Sequence, residues 1–201
     1  MNVLAIVGSP RKGRSTDTLV DKAIEGVRST DPNCSVKKIH MADHRIEFCR
    51  DCLACWKNTT AEPYAPCVIR DDMDMIYEEI AKADRLIFGT PVHMGYATGI
   101  MMTFLERICW TFARPEVNYL TVKGCPAPRV KKERKAVIIA VSSIVPPYFK
   151  LLCNAATPQI AGAIKDSLNA KTVGKLYAGD IVHRGLESYG KKAFQLGEKL
   201  A

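Results

Sequence analysis

Apolar residues along this chain fall into two alternating patterns, short unbroken runs and longer stretches with helical spacing. Asn2–Val7 is a compact apolar run ending at Gly8, the mark of a strand buried on both faces. A helix is predicted from about Ser15, with Leu19, Val20, Ala23, Ile24 and Val27 at helical spacing. Cys34–Met41 is a weaker second strand. Asp71-Asp72 opens a helix carrying Met73, Ile76, Ile80 and Ala83 on one face, with acid where the helix dipole favours it. Arg85–Gly89 is the third strand, and Ala97 to about Phe112 a helix with Ile100, Met101, Phe104, Leu105, Ile108 and Phe112 inward. Arg114–Arg134 holds three prolines and reads as irregular. Lys135–Val141 is the fourth strand, Tyr148–Leu168 a helix, Thr172–Tyr177 the fifth strand and Leu186–Leu200 the closing helix.

Five strands separated by helices imply an α/β fold, an open parallel sheet covered on both faces. Such sheets bind ligands at the carboxyl ends of their strands, near a topological switch point. The loops after the strands are therefore where function is expected. The 201 residues are most simply one domain, 1–201, with a cysteine-rich loop at about 48–68. A hydrophobic share of 47% and a charged share of 25% suit a soluble globular protein. The longest apolar stretch, Ala136 to Val145, is broken by Ser142 and Ser143 and is too short for a membrane span. The first strand begins almost at Met1 and leaves no room for a signal peptide, so a cytoplasmic protein without membrane association is expected. The formal charge of +8 could attract nucleic acid, acidic proteins or phosphorylated cofactors. Its densest run, Arg129–Lys135, has no interleaved aromatics and no nucleic-acid motif, and reads as a solvated loop before a strand. Docking to an acidic electron carrier is a better use for the charge than nucleic-acid binding.

Gly8-Ser-Pro-Arg-Lys-Gly-Arg-Ser15-Thr16 joins the first strand to a helix start. Free N–H groups there, hydroxyls from Ser9, Ser15 and Thr16, and the charge of Arg11 make a phosphate cradle. Ser and Thr are also ordinary helix caps, but three hydroxyls and an arginine exceed what a cap needs. A P-loop requires Lys where Arg14 stands, and the third strand ends without the metal-binding aspartate of an NTPase. The dinucleotide fingerprint is absent, so a mononucleotide without magnesium fits better. Thr90-Pro-Val-His-Met-Gly-Tyr96, after the third strand, offers Val92, Met94 and Tyr96 as apolar surface for a flat ring. Ser142 and Ser143, after the fourth, offer donors for a ring edge. All three loops face one edge of the sheet, and together they fit a phosphorylated planar cofactor.

Eight cysteines in a cytoplasmic protein of this size suggest metal or redox use rather than disulfides. Cys49-Arg-Asp-Cys52-Leu-Ala-Cys55, with Cys67 a short loop away, crowds thiolates as iron–sulfur sites do. A structural zinc site and reduced thiols are the alternatives, although zinc cysteines usually come as two separated pairs. Cys109 sits near an apolar helix face and reads as core, while Cys34 and Cys153 have no ligand spacing.

The chain resembles flavodoxin-fold FMN proteins of the NADPH-dependent FMN reductase group, and most closely the iron–sulfur flavoproteins. The resemblance rests on Gly8-Ser-Pro-Arg-Lys-Gly13, the Cys49/Cys52/Cys55/Cys67 set, Cys67-Val-Ile-Arg-Asp-Asp-Met73, Ala83-Asp84, Gly89-Thr-Pro-Val-His-Met-Gly95 and Phe104-Leu-Glu-Arg107. It covers about residues 1–112 and fades afterwards. It implies a flavodoxin-like three-layer sandwich with strand order 2-1-3-4-5 and FMN at the carboxyl edge. By that likeness Ser9, Arg11, Gly13, Ser15 and Thr16 hold the FMN phosphate, and Pro91, Val92, His93, Met94 and Gly95 line the isoalloxazine ring, with Ser142 and Ser143 as a weaker transfer. It also implies a [4Fe-4S] cluster on the four cysteines, exchange of electrons between cluster and FMN, and a homodimer or homotetramer. One departure is the eleven-residue gap between Cys55 and Cys67, longer than the family's usual spacing. The segment Lys57–Pro66 can loop out and return Cys67, and Cys125 is a conceivable substitute ligand. The expected function is an FMN-dependent oxidoreductase linked to ferredoxin or NAD(P)H, with no catalytic side chain named. A cluster-free NAD(P)H-dependent FMN or quinone reductase and a non-enzymatic electron carrier are the other readings, with a P-loop phosphotransferase a distant fourth.

Overall fold

The sheet is organised around its central strand, β1 (Asn2–Val7). Because side chains alternate across a strand, Val3, Ala5 and Val7 enter one apolar core and Leu4 and Ile6 the other. The computed structural model describes all 201 residues. After β1 come α1 (Ser15–Thr30), β2 (Ser35–His40), the single turn α2 (Ala54–Lys57) within the cysteine segment, and α3 (Met73–Lys82). Then follow β3 (Arg85–His93), the short β4 (Tyr96–Ala97), α4 (Gly99–Phe112), β5 (Ala113–Tyr119), β6 (Val122–Pro128) and β7 (Arg134–Val141). The chain ends with α5 (Lys150–Cys153), α6 (Ala156–Leu168), β8 (Ala170–Ala178), α7 (Ile181–Arg184) and α8 (Glu187–Leu200).

The main sheet runs β2-β1-β3-β7-β8, with every neighbouring pair parallel. Counted over these five strands this is the expected 2-1-3-4-5 order. Helices α1 and α8 cover one face; α3, α4 and α6 cover the other. The order reverses at β1, so the crevice between the loops after β1 and β3 is the switch point where ligands of such sheets sit. No helix is long and apolar enough to cross a membrane.

Three readings of the sequence need correction. The segment taken as irregular forms the antiparallel hairpin β5–β6, with Ala113 opposite Pro128 and Tyr119 opposite Val122. Its prolines disguised it, yet a two-stranded ribbon has only edges, where proline is tolerated. The single helix expected over Tyr148–Leu168 breaks between α5 and α6. There Ala155 N–H donates to Gly95 O at 2.7 Å, and Asn154 Oδ1 accepts from Thr157 N–H at 3.2 Å, a competing local bond that favours a new helix start. The basic run is not a fully solvated loop, because Arg129 and Arg134 within it are buried. Arg134 donates to Ile80 O, Ala83 O and Leu168 O at 3.3, 3.1 and 2.8 Å, satisfying the orphan carbonyls at the ends of α3 and α6.

Helix α1, which presents the loop after β1, is held against α8 by two glycines. A Cβ on Gly26 would lie 2.0 Å from Phe194 O, and one on Gly197 would lie 1.9 Å from Ala23 O. Both obstacles are backbone, so no rotamer change relieves them. Gly197→Ala should cost about 3 kcal/mol in chemical unfolding, more than an ordinary exposed helical substitution, because the two helices must separate.

Candidate functional site

Two sites share the helix α4. The first lies over the switch point, at its N-terminal end. Ser9, Arg11, Ser15 and Thr16 from the loop after β1, Pro91, Val92 and His93 from the end of β3, and Ser143 after β7 line one cleft. Arg14, Val141 and Ile181 complete it and were not anticipated. Arg14, just before helix α1, gives it no side-chain cap, so its first-turn N–H groups are left for an external acceptor. With the arginines and hydroxyls around it, this end of the cleft fits a phosphate.

Four of the expected cofactor residues do not line the cleft itself. Gly13, at φ 65°, donates its N–H to Asp17 Oδ2 at 2.6 Å, so it shapes the loop. Lys38 is the partner that holds the Asp17 carboxyl below its ordinary range against the opposing effect of burial. Ser142 is buried, and its Oγ accepts from Val145 N–H at 3.3 Å. Met94 and Gly95, at φ 50° and 87°, form the two-residue turn that folds β4 back on β3, pairing His93 with Tyr96. Positive φ suits Gly95 but strains Met94, whose side chain stands 97% exposed. The turn is braced from below, since Gly95 O accepts from Ala155 N–H. Thr98, unmarked in the sequence reading, ties the two loops together. Its Oγ1 donates to Gly8 O at 2.6 Å and caps α4 by accepting from Met101 N–H at 3.4 Å. A threonine just before an apolar helical run was the available signal.

The second site lies further along α4. Cys49, Cys52, Cys55 and Cys67 line one pocket with Glu106, Arg107 and Trp110. Arg107 stands nine residues beyond Thr98, about 14 Å along a helix. Cys125 does not line this pocket; it lies in β6 opposite Val117. The long gap between Cys55 and Cys67 is bridged by packed structure: Tyr64 stacks among Tyr77 and Phe112, and Ala65 N–H donates to Thr111 O at 2.8 Å. Burial pushes the Cys55 thiol up, and Cys67 and Cys49 nearby add to the effect. Cys109, expected in the core, is only half-buried and belongs to neither core cluster. No three of the chain's His, Cys, Asp and Glu side chains close to the spacing a single ion demands.

The pocket's base is fixed by one buried ion pair. Asp71 accepts from Arg107 Nη1 at 2.6 Å and Nη2 at 3.0 Å, and from the N–H groups of Glu47 at 2.8 Å and Met73 at 3.1 Å. Arg107 Nη1 also donates to Glu47 O at 2.8 Å, so the residues just before Cys49 and just after Cys67 are gripped together. Burial alone would raise the Asp71 carboxyl, but Arg107 and the two N–H groups hold it below 3.8. Arg107 Nε is buried and has no partner. A charged residue amid the inward Phe104, Leu105 and Ile108 was the sequence signal for this role, and the reading passed over it.

The depressed Asp71 pKa fixes how acid acts. Ionised Asp71 stabilises the fold at every pH above its unfolded value of about 3.8, and that contribution is lost as pH falls through the lower folded value. Asp71→Asn should cost about 3–5 kcal/mol at neutral pH, and the gap to wild type should narrow in unfolding curves taken below pH ~4.

Known proteins resemble this chain in sequence over about half its length and in fold over its whole length. An iron-sulfur flavoprotein of Archaeoglobus fulgidus is 34% identical over 107 residues, 53% of this chain and 48% of that protein. One from Methanosarcina thermophila is 33% identical over 107 residues, 53% of this chain and 52% of the relative. The chain thus spans about half the length of the curated relatives it matches. Among solved structures, an NAD(P)H:quinone oxidoreductase from Methanothermobacter marburgensis superposes with a TM-score of 0.71 at 16% identity, over 100% of this chain and 99% of that one, a likeness of fold. The family model described as NADPH-dependent FMN reductase matches residues 1–127, the stretch that carries the cysteine pocket and all of the cleft except Val141, Ser143 and Ile181, and the chain belongs to that family.

Proposed function

We propose that this chain is an FMN-dependent oxidoreductase that also carries a [4Fe-4S] cluster on Cys49, Cys52, Cys55 and Cys67. The observation that carries the reading is the gathering of these four cysteines in one pocket walled by α4, the helix whose start Thr98 ties to the loop after β1. The donor set is all sulfur, which suits an iron–sulfur centre or zinc. Three cysteines at successive three-residue intervals favour the iron–sulfur centre, because zinc cysteines usually come as two separated pairs. Arg107 lines the pocket and keeps a buried Nε without a partner, a donor of the kind that sulfur ligands of such centres receive.

In the cleft, Ser9, Arg11, Ser15 and Thr16 with the uncapped start of α1 would hold the FMN phosphate. Pro91, Val92 and His93 would border the ring, with Ser143 at its edge and Met94 over its open side. When bound, FMN takes electrons in pairs and releases them singly, and the cluster takes one at a time. The chain's own contribution is positioning: Thr98 fixes the two halves of the cleft, and Asp71 with Arg107 fixes the cysteine segment. Ferredoxin or NAD(P)H is the proposed external donor or acceptor, and the basic surface suits an acidic carrier. Met94, Leu151 and Leu152 are 97%, 90% and 83% exposed around the 94–95 turn, which supports a homodimer or homotetramer that covers this face.

Cys52→Ala in anaerobically purified protein should lose the broad visible absorption of the cluster and keep the FMN bands. Iron content equal to wild type would remove the cysteine assignment. Loss of FMN together with iron would show that the two sites are not separable in the way their separation along α4 implies.

A further inference from the structure

Arg129 is 2% exposed, yet every hydrogen bond it donates goes to a backbone carbonyl. Its Nε donates to Thr111 O at 2.9 Å, Nη1 to Ala61 O at 3.3 Å, and Nη2 to Cys55 O at 2.8 Å and Trp110 O at 3.1 Å. Cys55, Trp110 and Thr111 all line the cysteine pocket, so the guanidinium lies directly behind its wall. Arg107 nearby is neutralised by Asp71, but no carboxylate pairs with Arg129. The acidic group around it, Glu62, is 58% exposed and lies 3.9 Å from Arg114, which is itself a second positive neighbour. A buried cation costs several kcal/mol unless an anion offsets it. Carbonyl dipoles supply part of that offset, and the remaining candidates for the anion are the thiolates on the other side of the wall.

We propose that Arg129 is the buried countercharge and positioning residue for the thiolate-held centre of the cysteine pocket, clamping Cys55 through its carbonyl and offsetting the negative charge of the four thiolates. The inference rests on the iron–sulfur reading of that pocket. Its consequence is specific. Gain of one electron makes such a centre more negative, and a fixed cation behind the wall favours the reduced state over the oxidised one. Net charge and burial are among the factors that set these potentials. A staple that merely tied the end of β6 to residues 55–61 would leave the potential unchanged.

The test compares wild type, Arg129→Gln and Arg129→Lys, each purified without oxygen and assayed for iron, sulfide and FMN. The cluster midpoint potential is measured by redox titration, and iron loss is followed after addition of a chelator. Arg129→Gln should shift the potential to more negative values and lose iron about 10- to 100-fold more readily, with FMN content unchanged. Arg129→Lys keeps the charge and loses the fork, so its potential should stay near wild type while iron loss quickens. Wild-type potential and retention in Arg129→Gln would overturn the proposal, as would a Lys variant whose potential falls as far as that of Gln. Should Arg129→Gln not fold, the Lys variant decides alone: a shifted potential or unchanged retention overturns the proposal. Wild-type protein that carries no iron removes this inference together with the reading beneath it. Iron in the wild type with indifferent variants removes only the role of Arg129.

Discussion

The Asp71–Arg107 ion pair is the constraint on which the functional half of this molecule depends. It is buried, and all its bonds do positional work: one carboxylate grips a guanidinium and two backbone N–H groups, while the guanidinium returns a bond to Glu47 O. The cysteine segment has almost no regular structure of its own, one helical turn at α2. Closing its base removes the conformational freedom that would otherwise scatter the thiols. A buried pair is weak support for net stability but strongly resists loss of one partner, which suits a role in holding geometry. Arg129 completes the arrangement from the far side by binding Cys55 O.

Helix α4 links this pocket to the cleft. Thr98 at its start is bonded to Gly8 O, where β1 ends, and Arg107 and Trp110 further along wall the cysteines. One rigid element therefore sets the separation between the cleft's loops and the thiols. Two redox groups at the two sites would be held at a fixed distance without contribution from flexible loops. Met94, beside the cleft at the turn after β3, keeps a positive φ with its side chain exposed.

The parallel sheet was legible because its three central strands, β1, β3 and β7, hold near-continuous apolar runs, and the strand order agrees with the expectation. The cleft was legible because hydroxyls and cations cluster at a strand–helix junction, and Ser9, Arg11, Ser15 and Thr16 do line one cleft there. Cys49, Cys52 and Cys55 were legible from spacing, while the choice between Cys67 and Cys125 was not, because the intervening segment has no pattern that shows where it returns; Cys67 lines the pocket and Cys125 does not. What escaped is what depends on three-dimensional partners. Gly13 looked like a ligand-approach glycine, but its N–H belongs to Asp17. Arg129 and Arg134 looked like solvated charge, because nothing in a basic run reveals which members meet the carbonyl ends of helices or the back of a pocket. The β5–β6 hairpin was hidden by prolines that only an edge ribbon accommodates. Asp71 was read as an acid favouring a helix dipole, and instead its charge is committed to Arg107.

The central claim is that one chain holds both a flavin and a four-iron centre. It is tested most directly by purifying the wild-type protein without oxygen and measuring iron, inorganic sulfide, zinc and FMN per chain. The account predicts about four irons, about four sulfides and one FMN, with no stoichiometric zinc. FMN with no iron, or one zinc per chain in place of iron, would contradict it and leave the cysteine pocket with a structural or thiol role.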